Sequence, residues 1–313
     1  MKPMLARDWI EDKVKFPCLI QPKIDGVRAL NIDGKLYARS LKPHANLHLN
    51  ELFGQQMFNG LDGEIILNDN PVLPDLCSLT SGAVRREKDT SSFTWYVFDL
   101  VLPNILHLPY EERYKMLRNH VGMLRNIMGV TNIVLIPQYI CVTKQHLIEH
   151  DDEFLRMGYE GSIIRNPLSS YKQGRSDANM QVWRIKRFID AEFRITGIIE
   201  GSHNANEAKT NELGRTERST HQENMIPNGM VGSLEGFLLD DVKDPSSGEV
   251  ILKKDSPIIV SAGTMTQTER QHYFENQDAI LGQIGKLKLF PKGVKDKPRF
   301  PVFLSIRSEK DMS

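Results

Sequence analysis

Cysteine is scarce: Cys18, Cys77 and Cys141 are the only three, far apart and without a Cys-x-x-Cys spacing. An odd number at such separations suggests neither a disulfide framework nor a structural zinc site, and a reducing compartment fits best. No apolar run approaches the length that spans a bilayer, and Met1-Lys2-Pro3-Met4-Leu5-Ala6-Arg7-Asp8 lacks the apolar region of a signal peptide. No membrane partner is therefore expected, and the protein should be soluble and cytoplasmic. Net charge is missing too, Lys+Arg and Asp+Glu both numbering 40, so a polyanionic partner must be met by local segregation of charge. Such segregation exists. Positive charge is absent from Pro43 to Val84, where Glu51, Asp62, Glu64, Asp69 and Asp75 lie, whereas Lys286 to Lys310 is rich in Lys and Arg. Also absent is a Gly-x-x-x-x-Gly-Lys-Ser/Thr loop, which excludes nucleotide binding in the P-loop manner.

What is present is organised around Gln21-Pro22-Lys23-Ile24-Asp25-Gly26-Val27-Arg28, behind an apolar entry of Phe16, Cys18, Leu19 and Ile20. If Leu19 to Asp25 is extended, Lys23 and Asp25 point to the same side, and Gly26 lets the backbone turn. A lysine amine attacks phosphorus only when unprotonated, a form favoured by desolvation, neighbouring cations or a metal ion. Arg28 could supply part of that field. Lys-x-Asp-Gly alone is a weak motif, arising by chance in roughly one chain in ten of this size.

An ordered set downstream strengthens it. Arg39 is followed by Asp62-Gly63-Glu64-Ile65, Tyr96-Val97-Phe98-Asp99, Glu160-Gly161-Ser162-Ile163-Ile164-Arg165 and Trp183-Arg184-Ile185-Lys186. These patterns resemble the motifs of the covalent nucleotidyltransferases, and more closely the small viral and phage ATP-dependent DNA ligases. The likeness covers nearly all of the chain, including the tail Pro298-Arg299-Phe300-Pro301-Val302-Phe303. In that family the motif lysine becomes linked to AMP, and the enzyme seals a nick in duplex DNA.

The resemblance implies an α+β chain. Residues 1–189 would form a nucleotidyltransferase domain of ATP-grasp-like antiparallel sheets with helices. Residues 190–313 would form an OB-fold β-barrel with a DNA-clasping insertion at about 202–228. It also implies Lys23 as the catalytic residue, with ATP as co-substrate and Mg2+ as cofactor. The nucleotide would be gripped by Gln21, Ile24, Arg28, Arg39, Glu64, Phe98, Glu160, Arg184 and Lys186, with Phe98 stacking on the base. Arg299 and Asp311 would orient the pyrophosphate, given a mobile linker near Asp190 that lets the barrel swing. Asp25, Glu64 and Glu160 are the implied metal ligands. Nicked duplex DNA would be held by Arg28, Arg39, Lys172 and Arg175, and by Lys209, Arg215 and Arg218 of the insertion. A monomer acting in DNA replication, repair or recombination is expected, in the host cell if viral. Two departures stand out: Arg184 replaces a lysine, exchanging a point charge for a planar fork, and Gln21 stands where many relatives carry glutamate.

Local patterns add elements. Leu30 to Arg39 reads as two strands around an Asp33-Gly34 turn that returns Arg39 towards the Lys23 strand. Ser92 to Val101 is a buried strand by composition. Tyr114, Leu117, Val121, Leu124 and Met128 mark an amphipathic helix. Thr143 caps another, whose run Glu149-His150-Asp151-Asp152-Glu153 reads as a solvated face. Tyr171 to Ser176 is a polar loop suited to a sugar-phosphate strand. In Gln181 to Phe188, alternation aims Arg184 and Lys186 at one face. Short strands follow at Ala191 to Gly201, Gly232 to Leu239, Ile258 to Gly263 and Phe300 to Ile306, with Ser202 to Asn228 as a long polar loop. Thr266 and Glu269 form a capping box for a helix including Tyr273, Phe274, Ile280 and Leu281.

Two other readings compete. One is an RNA-end enzyme on the same scaffold, either an RNA ligase or a GTP-using capping enzyme. The other is a catalytically silent nucleic-acid-binding protein, which would bind DNA in a salt-dependent way and form no nucleotide adduct.

Overall fold

Two five-stranded sheets organise Met1–Lys186, the first of two units into which the chain divides; the second is Arg187–Ser313. The computed structural model describes residues 2–185, 187–244, 248–290 and 299–307, with backbone alone at 299 and 300. The first sheet runs in the order Arg7–Asp8, Val182–Ile185, Ser162–Arg165, Cys18–Pro22, Tyr139–Cys141. The second runs Lys35–Ala38, Val27–Ile32, Leu61–Leu67, Phe93–Leu100, Ile133–Leu135. Neither is purely antiparallel as expected: Arg7–Asp8 and Ile133–Leu135 each join their sheet in parallel. A parallel neighbour needs a crossover, and for Ile133–Leu135 the helix Tyr110–Asn126 provides it.

The Asp33-Gly34 turn forms as read, both residues taking positive φ (50° and 77°), which the tight hairpin turn demands. It does not carry Arg39 to the Lys23 strand. Both flanks of Cys18–Pro22 are occupied, by Ser162–Arg165 and Tyr139–Cys141, so the hairpin belongs to the second sheet and Arg39 lies exposed beyond its edge strand.

The lysine strand is shorter than expected, ending at Pro22. Lys23 N–H makes one further bond, to Gly161 O at 2.8 Å. The four residues from Lys23 to Gly26 then carry the chain from one sheet to the other, where Val27 opens the next strand. Gly26 is required by close approach: a Cβ there would lie 2.5 Å from Ile65 O and 3.2 Å from Glu64 Cβ.

Tyr110–Asn126 buries Leu117, Val121 and Leu124, while Met128 falls beyond the helix and is exposed. Thr143 caps Lys144–Arg156 through its hydroxyl. Asp151 departs from the solvated face assigned to it. Its steps of four from Leu147 and three to Phe154 place it on the buried stripe, where it accepts a hydrogen bond from Ser162 Oγ at 2.6 Å.

In the second unit Ile189–Asn204, Met225–Leu238, Pro257–Ser261, Arg299–Ile306 and Ile284–Phe290 close into a barrel in that order. Ile284–Phe290 escaped the sequence reading because its lysines drew it into the basic tail. It buries Gly285, Leu287 and Leu289 and turns Lys286 and Lys288 outward. Asp190, expected in a linker, pairs with Lys288 inside the first barrel strand. The polar stretch after Ser202 is no loop. The first two barrel strands stay paired as far as Asn204 and Met225, and a hairpin of Ala208–Thr210 with Thr216–Arg218 continues beyond them. Polar residues suit this ribbon because both of its faces are exposed. The Thr266–Glu269 capping box is present, but its helix stops at Glu275, short of Ile280 and Leu281.

Candidate active site

Lys23 Nζ forms an ion pair with Glu160 Oε2, both side chains being about four-fifths buried. The register explains the meeting. Ser162–Arg165 lies directly against the lysine strand, Ser162 facing Pro22 and Ile163 facing Gln21, so the chain ahead of Ser162 runs past Lys23. Gly161 makes the approach: its φ is +149°, and a Cβ would stand 2.8 Å from Ile185 O. On its other flank Ile163 faces Arg184. Directly opposed residues share a face, so Gln21, Ile163 and Arg184 form one row across the sheet.

The second sheet contributes a buried charged group. Arg28 grips Asp62 with two parallel bonds, Nε to Oδ1 at 2.5 Å and Nη2 to Oδ2 at 2.6 Å. Burial works against the charge on Arg28, but the Asp62 carboxylate holds its pKa above the usual arginine range. Its guanidinium stands 4.6 Å from the centre of the Phe98 ring, and that of Arg165 stands 5.1 Å from it. Glu64 faces Arg28 in the register. Burial pushes the Glu64 carboxyl up to about 7; Arg28 and Lys23 pull it down, while Asp62 and Asp25 raise it further.

Behind these lies a polar network that the sequence reading did not single out. Asp99 accepts from Arg113 Nε at 3.0 Å and Nη2 at 3.1 Å, and from Arg165 Nη1 at 3.3 Å. Tyr110 OH donates to Phe98 O at 2.8 Å and is bonded by Gln138, whose Nε2 also donates to Gln21 Oε1 at 3.1 Å. A signal for Arg165 existed: it is the charged end of an otherwise buried strand, and a buried arginine implies a carboxylate partner.

The other expected residues fall in several places. Ile24 is buried beside Ile66 and Phe98. Arg184 Nε bonds Asp8 Oδ1 at 2.5 Å, from the parallel edge strand. Lys172 pairs with Asp177 at 2.5 Å, and Arg175 is exposed on a two-residue strand against Met4–Leu5. Lys209, Arg215 and Arg218 are exposed on the terminal hairpin of the ribbon. There Lys209 lies 3.6 Å from Glu207, and Arg218 donates to Asn206 O. Lys186 and Asp311 lie outside the described residues, and Arg299 is described in backbone only, paired with Phe290.

Among the described residues no three His, Cys, Asp or Glu groups converge on a metal position. The donors beside Lys23 still suit Mg2+, which takes one or two carboxylates and completes its shell with water and substrate phosphates. Burial is the main cause that pushes the Glu64 carboxyl up to about 7, with Asp62 and Asp25 adding to it, so a bound cation would favour its charged form.

Residues 3–186 match the family model for the ATP dependent DNA ligase domain. A DNA ligase of African swine fever virus (isolate Warthog/Namibia/Wart80/1980) is 27% identical over 195 residues, 58% of this chain and 45% of that protein. The chain thus spans about half the length of the curated relatives it matches. The crystal structure of a Chlorella virus DNA ligase-adenylate aligns over 98% of both chains with 26% identity and a TM-score of 0.52. A structure from work on Lig E DNA ligases, described as DNA binding with a minimal scaffold, covers 98% of this chain and 99% of its own, with 19% identity and a TM-score of 0.68. Together with the lysine, its glutamate partner and the two sheets that hold them, the match over residues 3–186 places this chain in the ATP dependent DNA ligase domain family.

Proposed function

We propose that the chain is an ATP-dependent DNA ligase, sealing 3′-hydroxyl/5′-phosphate nicks in duplex DNA through an AMP adduct on Lys23. The observation that carries this reading is the Lys23–Glu160 pair, set beside Glu64 and Arg28 within a domain of this family. In the first step Nζ attacks the α-phosphorus of ATP. The N–P bond forms as the bond to pyrophosphate breaks, and the proton leaving Nζ has an acceptor already in contact, the Glu160 carboxylate. The AMP then passes to a 5′-phosphate, and a 3′-hydroxyl displaces it to close the phosphodiester.

Each step develops charge on phosphoryl oxygens, which fixed cations stabilise without reorganising. Arg184, on the row with Gln21, and Lys186 are the residues assigned to that task. Arg28 and Arg39 are assigned to the nick's 5′-phosphate, with Lys172 and Arg175 on the DNA strand. Gln21 and Phe98 are assigned to the base, and Gln138 donates to Gln21 Oε1. Asp25, Glu64 and Glu160 would hold Mg2+, which when bound offsets phosphate charge.

The barrel supports an OB-fold reading. Numbered along the chain its strands run 1-2-3-5-4, the third and fifth touch in parallel, and a helix joins the third to the fourth. The ribbon that extends its first two strands is assigned to grip duplex DNA through Lys209, Arg215 and Arg218.

The test is intact mass of purified protein given ATP and Mg2+. One added AMP on the peptide containing Lys23 is expected, with none on Lys23→Ala. No adduct, or one on another peptide, sinks the proposal. Preference for ATP over GTP, and for nicked DNA over nicked RNA, separates a DNA ligase from the RNA-end enzymes.

A further inference from the structure

Cys18 and Cys141 form a second chemical site, independent of the reading given to Lys23. They face one another in register on antiparallel strands. Both are fully buried, at 0% exposure. Directly opposed residues on antiparallel strands have Cα atoms about 4.5 or 5.5 Å apart, depending on the type of pair. Either value lies within the roughly 4.4–6.8 Å that a disulfide spans, so closing one here requires little backbone movement.

We propose that Cys18 and Cys141 are a dithiol oxidation site, closed into a cross-strand disulfide by a two-electron oxidant of the hydrogen peroxide class. The thiolate of one cysteine attacks one peroxide oxygen; the S–O bond forms, the O–O bond breaks, and the departing hydroxide takes up a proton as water. The sulfur of the other cysteine then attacks the sulfenic sulfur. The S–S bond forms, the S–O bond breaks, and the departing hydroxide leaves as a second water with the proton of that second thiol. Two thiols have lost two electrons and one peroxide has become two waters.

The two sulfurs face one another in register and are equally buried, so either can make the first attack. The route for oxidant is the sheet edge. Tyr139–Cys141 is an outermost strand of only three residues, with Ile140 at its centre 66% exposed and Val142 just after it 56% exposed. A short edge strand opens locally at far lower cost than the whole unit. Once closed, the bond staples that edge to the strand leading into Lys23.

The test is peptide mapping without reductant, on wild-type protein treated with hydrogen peroxide and then alkylated. A peptide pair joining Cys18 to Cys141, and the loss of two hydrogen masses from the intact chain, are expected, both reversed by dithiothreitol. Cys77, half-buried and remote in sequence, is the internal control. The oxidised protein should melt about 5 °C or more above the reduced one, and Cys141→Ser should abolish the shift. Separate alkylation of Cys18 and Cys141 after peroxide has consumed Cys77 would overturn the proposal, as would a link to Cys77 or a sulfinic acid on either Cys18 or Cys141. None of these readings uses ATP, so failure of the ligase reading leaves them untouched, and their failure leaves it standing.

Discussion

Lys23 and Glu160 stand 137 positions apart in the chain and touch through their charged ends. If the carboxylate accepts the proton that leaves Nζ, Glu160→Gln should slow formation of the AMP adduct by about 10²-fold or more while ATP still binds. Initial adduct rates measured against ATP concentration check this. A variant that changes only the half-saturating ATP level would reduce Glu160 to a binding group.

Asp62 is fully buried and Arg28 nearly so. Asp62→Asn keeps the shape but leaves a buried guanidinium without its counter-charge, and should cost about 3–5 kcal/mol in denaturant unfolding. Replacing both, Arg28→Met with Asp62→Leu, should recover much of that loss. Equal destabilisation in the single and double variants would argue against the pairing energy.

His44 is buried, with Nε2 lacking any hydrogen-bond partner, and burial lowers its pKa to about 4. The unfolded chain therefore takes up this proton first as pH falls. Its contribution to stability is whole above about pH 6.5 and is lost between there and pH 4, amounting to about 3 kcal/mol. Glu64 runs the other way: its carboxyl is pushed up to about 7, so its contribution is present below about pH 4.5 and is lost as pH rises through 7. Subtracting the unfolding profile of His44→Leu from that of wild type isolates the first effect. A flat difference between pH 4 and 7 would contradict it.

Gly26→Ala places a methyl 2.5 Å from the Ile65 carbonyl oxygen. Backbone cannot give as a side chain can, so the variant should lose about 1–3 kcal/mol and form the adduct at least tenfold more slowly. Thermal melting and adduct rate should fall together. A variant that melts normally but reacts slowly would show a shift confined to the lysine segment.

All three cations of the ribbon are exposed, but Arg218 also bonds Asn206 O and so serves the hairpin itself, whereas Lys209 meets the exposed Glu207 at 3.6 Å. Lys209→Ala with Arg215→Ala should weaken nicked-duplex binding and lower the slope of log affinity against log salt by about 2. Adduct formation from ATP should not change. An unaltered salt slope would remove the ribbon from the DNA interface.

Much of this was legible in the residues themselves. The Asp33-Gly34 hairpin, the Thr143 cap and the Thr266–Glu269 box rest on local rules and appear where those rules put them. The misreadings come from partners supplied by the fold. Arg39 lies away from the lysine strand: a hairpin says where a chain turns and not which sheet it joins. Asp151 sat in an acidic run whose charge concealed its place on a buried stripe. The ribbon looked like a loop because pairing between two polar strands leaves no apolar alternation to read. Asp99, Arg113 and Arg165, far apart in sequence, become one network only after folding.

The span from Lys23 to Gly26 fixes a length as well as a position. With Pro22 paired in one sheet, Val27 in the other, and Gly26 pressed onto the strand beneath it, the link has no slack to take up an added or missing residue. Insertions in exposed loops can bulge into solvent. One here would slide a whole set of paired strands by a step, so the reach of the amine is set by the count of residues between two sheets as much as by its own chemistry.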